Sequence, residues 1–303
     1  YTTLFRRSEE RRVGKECKTV RRGLLTLLVG HTIKKASNDN PKSFPNSPQD
    51  VEQFLIGATV KDVRRRAKVL LIDLSTAYSL MIHLKMTGQL VYRGADAVFG
   101  AGHPNDSLIG ALPDRSTRVT FMLDNGATLF FNDQRKFGWV RLMPTVELEN
   151  VDFMKKVGPE PLDATFTAQE FINRLQRRKN TTIKAAILDQ TVLAGIGNIY
   201  ADEGLWGARI HPATRVRDVP PEKLKKLFSE LQFVLRLSIE KGGSTDKNYV
   251  NAEGKKGSYI SFARVFRKEG TPCKRHPNTL IQKIRVAGRG THICPRCQTL
   301  VQH

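Results

Sequence analysis

Between Val60 and Met143 the apolar positions come in short runs of strand length. Val69-Leu-Leu-Ile-Asp-Leu and Ser79-Leu-Met-Ile-His-Leu are separated by turn-prone residues and predict two strands. Val119-Thr-Phe-Met-Leu and Thr128-Leu-Phe-Phe flank Asp124-Asn125-Gly126. An Asn-Gly pair permits the positive φ angles of a tight hairpin, so these two runs should pair. Gly94 to Pro113, rich in Gly, Asp, Asn and Pro, predicts an exposed loop. Past Gly158-Pro159-Glu160-Pro161 the period turns helical. Thr167 and Glu170 form a capping-box pair that opens a helix with Phe171 and Leu175 on one face. Asp218 and Pro220-Pro221 open another, on which Leu224, Leu227, Phe228, Leu231, Val234 and Leu235 recur at helical spacing until Gly242-Gly243. That stripe predicts core. Ala194-Gly195-Ile196-Gly197-Asn198 reads as a glycine-rich turn between two helical stretches.

Length and composition narrow the class. The 303 residues suffice for about two domains. Fifty Lys and Arg against 29 Asp and Glu leave a net charge of +21, which points to a polyanionic partner, either nucleic acid or an anionic membrane surface. The 40% hydrophobic share and 15 phenylalanines exclude a disordered basic tail as the whole chain. No run approaches the ~18 apolar residues of a membrane span, and the lead Tyr1 to Arg12 lacks the apolar segment of a secretory signal. The basic excess sits at the ends: residues 1–35 hold ten basic and three acidic side chains, and residues 251–303 hold eleven and two. Three of the four cysteines fall in the last thirty-one residues, which suits a metal site in a reducing compartment better than a disulfide framework.

The metal pattern is the strongest local signal. Cys273-x2-His276 and, seventeen residues on, Cys294-x2-Cys297 supply four soft or borderline ligands in two close pairs, as one structural zinc ion requires. His292 or His303 could stand in for His276, and buried reduced cysteines are the bland alternative. Lys274, Arg275, Lys283, Arg285, Arg289 and Arg296 would make this a basic clamp for DNA. At Gly195-Ile-Gly-Asn198 the glycines would let backbone N–H groups reach a phosphate, with Asn198 as helix cap; a turn shaped only for packing explains the same residues. Asn132 to Gly138 mixes cations with Phe137, either as a wedge into a base stack or as a solvated turn with a buried ring. Met86, taken alone, reads as core. Lys68, beside Arg64-Arg65-Arg66, should lose its proton more readily and suits amine chemistry; a phosphate-facing cation is the ordinary alternative.

In order along the chain these pieces resemble the bacterial formamidopyrimidine-DNA glycosylase family. The matching stretches include Thr19-Val-Arg-Arg-Gly23, Arg65-Arg-Ala-Lys68, His83-Leu-Lys-Met86, Asn132 to Gly138, Leu188-Asp-Gln190, Ala194 to Tyr200, Lys241-Gly-Gly-Ser-Thr245, Tyr249-Val-Asn251 and Val286 to His292. The resemblance runs from roughly Lys18 to Gln298. It implies an α+β architecture: an N-terminal β-sandwich lobe over 18–146, a helix–two-turn–helix domain over 147–250, and a C-terminal zinc finger over 251–303, with DNA in the cleft between lobes. It also implies excision of oxidised purines, 8-oxoguanine and formamidopyrimidines, followed by strand cleavage at the abasic sugar. By resemblance Met86, Arg135 and Phe137 fill the gap left by the extruded nucleotide, Lys179 and Asn198 hold phosphates, Lys68 assists β-elimination and Arg289 assists δ-elimination. The implied partner is damaged double-stranded DNA, met by a monomer in the bacterial cytoplasm at the nucleoid, with no membrane.

The lead departs from the family. Counting back from Thr19 places Arg12 and Val13 where the family has the proline whose free secondary amine attacks the sugar and the glutamate that supplies the proton. Glu16 falls at a family acidic position. Residues 1–17 form an aberrant extension, and Arg6 to Cys17 resembles a translated adapter read-through; so polar a lead should be poorly ordered. Ser116 and Arg118 replace histidines, and His276 replaces a cysteine. Two functions follow: a bifunctional glycosylase and AP lyase impaired at its nucleophile, or a non-catalytic nucleic-acid-binding zinc protein.

Overall fold

The short apolar runs of the first half become two antiparallel sheets, seen in a computed structural model that describes residues 15–102, 105–241 and 259–300. The expectations for the lead around Arg12 and Val13, for Gly242-Gly243 through Tyr249-Val-Asn251, and for His303 fall outside those residues. The strands are β1 (Ile33–Asn38), β2 (Val60–Arg66), β3 (Val69–Leu74), β4 (Tyr78–His83), β5 (Gly88–Arg93), β6 (Val98–Gly102), β7 (Thr117–Leu123), β8 (Thr128–Asp133) and β9 (Trp139–Pro144). One sheet runs β1-β7-β8-β5-β6 and the other β2-β3-β4-β9. Leu70, Ile72, Leu80 and Ile82 of the second share a core with Val119, Phe121, Leu129 and Phe131 of the first, so the sheets form a sandwich. Val69, Leu71 and Met81 point the other way, beneath Leu148 and Phe153. Both faces of β3 are therefore covered, which explains the four apolar residues in a row from Val69 to Ile72. Helix α1 (Lys15–Leu28) adds Val20, Leu24 and Leu28, one face at a spacing of four, to the same core.

Two local expectations need correction. The Gly94–Pro113 segment is not simply an exposed loop: β6 pairs with β5, and Phe99, Ala101, Ser107 and Leu108 are buried. Its high Gly and Asp content masked an edge strand whose partner is decided by the sheet. The Asn-Gly hairpin forms, but as a three-residue connection. Leu123 N–H bonds the Ala127 carbonyl at 2.8 Å, and only Gly126 (φ +77°) is left-handed. A single left-handed residue after a type I turn closes such a hairpin, so Asn125 keeps ordinary φ.

Residues 156–241 and 259–300 belong to a second unit. Its helices are α2 (Ala168–Gln176), α3 (Ile183–Leu188), α4 (Asn198–Gly207) and α5 (Pro221–Glu240). Thr167 accepts the Glu170 N–H, and the six-residue stripe of α5 is buried as its period predicts. From Tyr200 to Gly207, α4 is buried on every side, and it packs on α5 through glycine: a Cβ at Gly204 would stand 2.6 Å from Leu231 Cδ2. The finger follows as two hairpins, β10 (Pro272–Cys273) with β11 (His276–Leu280) and β12 (Gln282–Val286) with β13 (Arg289–Ile293). Among the described residues no helix is long and apolar enough to cross a membrane.

Candidate nucleic-acid interface and metal centre

The metal ligands converge from both finger hairpins. Donor atoms of Cys273, His276, Cys294 and Cys297 lie within 4.8 Å of one another. Cys273 Sγ is 3.7 Å from Cys297 Sγ, and His276 Nδ1 is 3.2 Å from Cys297 Sγ and 3.9 Å from Cys294 Sγ. A tetrahedral zinc with bonds of about 2.0–2.3 Å separates its donors by roughly 3.5–3.8 Å, so this set fits. Burial and the neighbouring sulfurs push the Cys297 thiol up to about 12. Sulfurs so crowded ionise together only around a cation, as a structural zinc provides. His292 is no ligand: its Nδ1 lies 3.3 Å from Asp202 and its Nε2 3.2 Å from Glu269. The finger rests on α4, where Trp206 packs with Val265, Ile281 and three cysteines. Arg275 belongs to this footing rather than to a DNA clamp. Its guanidinium lies 3.8 Å over the Trp206 ring and donates to the Trp206 and Gly207 carbonyls.

In the first unit the structure brings Met86, Arg135 and Phe137 together. Met86 sits in the β4–β5 connection and the other two in the β8–β9 connection. Arg135 donates to Met86 Sδ at 3.4 Å and lies 4.9 Å over the Phe137 ring. Met86 is 64% and Phe137 56% exposed, which removes both core alternatives. Two large apolar groups in water beside a guanidinium form a surface that gains by entering a base stack. Lys68 occupies the two-residue turn between β2 and β3, after Ala67 at φ +51°. Its charge reaches His83 on β4. Burial first, then the charges of Lys85 and Lys68, pull that imidazole down to about 4, so it is neutral near pH 7. Ser116 and Arg118 are buried: Arg118 bonds the Asp133 and Arg115 carbonyls and pairs with Asp39. Neither is an exposed DNA contact.

In the second unit, exposed Lys179 is placed by its backbone, whose N–H bonds Gln176 and whose carbonyl accepts from Arg217. Asn198 is not the cap of α4; Gly197 is, and Asn198 Nδ2 instead donates to the Gly290 carbonyl at 2.9 Å. Arg289 opens β13 just beyond the finger hairpin's Ala287-Gly288 turn, exposed to solvent, and Thr291 Oγ1 holds its carbonyl at 3.0 Å. Sequence reasoning missed what supports this arm. Fully buried Lys184 bonds Asp202 and Thr291 at 2.6 Å each, and Asp202 also accepts the His292 N–H at 2.9 Å. A lysine within an apolar helical run was the available signal.

Three sequence families match in chain order. They are the formamidopyrimidine-DNA glycosylase N-terminal domain over residues 14–140, the formamidopyrimidine-DNA glycosylase H2TH domain over 157–249, and the zinc finger found in FPG and IleRS over 279–300. A formamidopyrimidine-DNA glycosylase of Chloroflexus aurantiacus is 40% identical over 95% of this chain and 97% of its own. The Lactococcus lactis protein complexed with DNA containing an abasic site is 31% identical, with a TM-score of 0.82 over 94% of this chain and 98% of its own. The same protein complexed with DNA containing FAPY-dG gives 31% and 0.81, over 94% and 99%.

Proposed function

This chain belongs to the formamidopyrimidine-DNA glycosylase family, and from that premise we propose that it recognises oxidised purines in duplex DNA by holding the lesion nucleotide outside the stack. The observation that carries this reading is the exposed cluster of Met86, Arg135 and Phe137. A base can be attacked only after it leaves the duplex, and the unstacking is offset by whatever fills its place. Methionine and phenylalanine supply apolar volume, and arginine supplies a planar cation able to meet the orphaned opposite base. Lys179 and Asn198 hold backbone phosphates in this reading. Lys68 serves β-elimination and Arg289 δ-elimination at the abasic sugar. The zinc ion, held by Cys273, His276, Cys294 and Cys297, supplies structure and no reacting group.

Alanine at Met86, Arg135 or Phe137 should weaken binding to abasic duplex about tenfold and leave intact duplex nearly unchanged, because only the abasic site offers a void. Titration of the two duplexes with each variant measures this. Equal losses on both would remove the void-filling role. Affinity for duplex DNA should also fall steeply with added salt, since displaced counterions drive association. Lys179→Ala should flatten the plot of log affinity against log salt by roughly one unit. An affinity indifferent to salt would contradict a phosphate-binding surface altogether.

The Arg12-Val13 pair favours a second reading, a DNA-binding protein that has lost excision. An internal arginine has only an amide on its backbone and no free secondary amine. Both readings share the lesion-binding surface, and covalent trapping separates them.

A further inference from the structure

Asp133, at the end of β8, is fully buried and lies where the two loops of the void-filling cluster meet. One loop, between β4 and β5, carries Met86; the other, between β8 and β9, carries Arg135 and Phe137. Asp133 Oδ1 accepts the Thr87 hydroxyl and, at 3.2 Å, the Arg135 N–H. Its Oδ2 accepts the Gly138 N–H at 2.6 Å. The Arg135 N–H is shared with Thr87 Oγ1, also at 3.2 Å. One carboxylate thus holds the start and the end of the second loop and reaches across to the first.

Two features show that this arrangement is built for closeness. A Cβ at Gly138 would stand 2.8 Å from Phe131 Cζ and 3.1 Å from Asp133 Oδ2, so glycine lets that N–H approach the carboxylate. Between the anchored Arg135 and Gly138 N–H groups, Lys136 adopts a left-handed φ of +58°. A non-glycine residue stays in that region only when its surroundings over-determine it.

We infer that Asp133 is a positioning residue for lesion recognition: through Thr87, Arg135 and Gly138 it locks Met86 to Arg135 and Phe137, so that the three enter a void as one body. The inference rests on the void-filling reading above. Without the carboxylate the Arg135 N–H keeps only its bond to a Thr87 hydroxyl that has lost its own acceptor, beside the exposed Arg135–Met86 contact, and more of the ordering of the two loops would fall on DNA binding.

The test compares Asp133→Asn, Thr87→Val and Thr87→Ser in the full chain. Binding is measured to duplex containing a tetrahydrofuran abasic analogue and to the same duplex intact. Asp133→Asn and Thr87→Val should lower the preference for the abasic duplex about tenfold, the loss expected for one hydrogen bond to a charged group. Intact-duplex affinity should stay unchanged, and Thr87→Ser, which keeps the hydroxyl, should retain the preference. If Asp133→Asn does not fold, Thr87→Val against Thr87→Ser decides alone. A preference unchanged in Asp133→Asn and Thr87→Val, while Met86→Ala and Phe137→Ala lower it, overturns the positioning role and leaves the void-filling reading standing. A preference unchanged in all four overturns the void-filling reading and this inference with it. Equal losses on both duplexes would show a purely structural aspartate.

Discussion

Duplex DNA carrying 8-oxoguanine is expected to be bound by this chain yet released with its damaged base in place. In the family the attacking group is the free secondary amine of a chain-initial proline, and the next glutamate supplies the proton. Counting back from Thr19 by the family resemblance puts Arg12 and Val13 at those places, and the expected loss of excision rests on that count. An amide nitrogen shares its lone pair with the carbonyl and cannot form an iminium. Loss of an enzyme's nucleophile costs on the order of 10⁴-fold or more. Excision of 8-oxoguanine should fall by that scale relative to a chain in which Pro-Glu-Leu-Pro-Glu-Val, with its proline amine free, replaces residues 1–17. Nicking at an already abasic site should survive better. There the aldehyde is exposed, and an amine such as Lys68 needs only to be partly deprotonated to condense with it. Borohydride trapping reads the outcome, because reduction turns the iminium into a stable protein–DNA adduct. The repaired chain should trap on 8-oxoguanine duplex and the unrepaired chain should not. An adduct with the unrepaired chain would show that another nucleophile serves. Absence of an adduct with the repaired chain would favour the non-catalytic binding protein.

Removal of zinc should have the second largest effect. The finger's two hairpins have five-residue strands or shorter, and its buried core consists largely of the three cysteines with Trp206, Val265 and Ile281. So small a core owes its fold to the ion, whose apparent binding free energy in isolated fingers is roughly 10–16 kcal/mol. Chelation, or Cys294→Ala, should therefore unfold the segment around 272–298, releasing the Arg289 carbonyl from Thr291 and the Gly290 carbonyl from Asn198. DNA affinity should drop at least about tenfold, since several phosphate contacts are lost together. The sandwich, stabilised by its own apolar core, should melt as before. Metal analysis should find one zinc per chain, and amide exchange should report loss of protection confined to the second unit. Purified protein without zinc, or Cys294→Ala with unaltered DNA affinity, would contradict the assignment.

Features that depend on near neighbours in the chain are legible from the residues themselves. The α5 stripe, the Thr167 cap and the strand pairs are set by residues three, four or two positions apart, so hydrophobic period and capping chemistry suffice to find them. The zinc ligands are legible for the same reason: each pair lies on one tight turn, and the donor chemistry narrows the ion. The family resemblance adds Lys179 as a candidate and gives roles to Lys68, Met86, Arg135, Phe137, Asn198 and Arg289, but not their surroundings.

What the tertiary structure alone decided is the state of each side chain, because its partners are distant along the chain. Asp133 meets a hydroxyl forty-six residues away, and Lys184 meets Thr291 at a separation of 107. The neighbours of Asp133 in sequence do not announce its burial, and the apolar run around Lys184 hints at burial without naming its partners. The same holds for Met86 and Phe137: apolar residues are inside by default, and only two loops projecting beyond the sheets leave these two in water. Arg275 went the opposite way, from an expected part of a DNA clamp to a bonded part of the finger's footing. Sequence patterns report what a residue type prefers on average, whereas burial and pairing are properties of a place, and the place exists only once distant segments have packed.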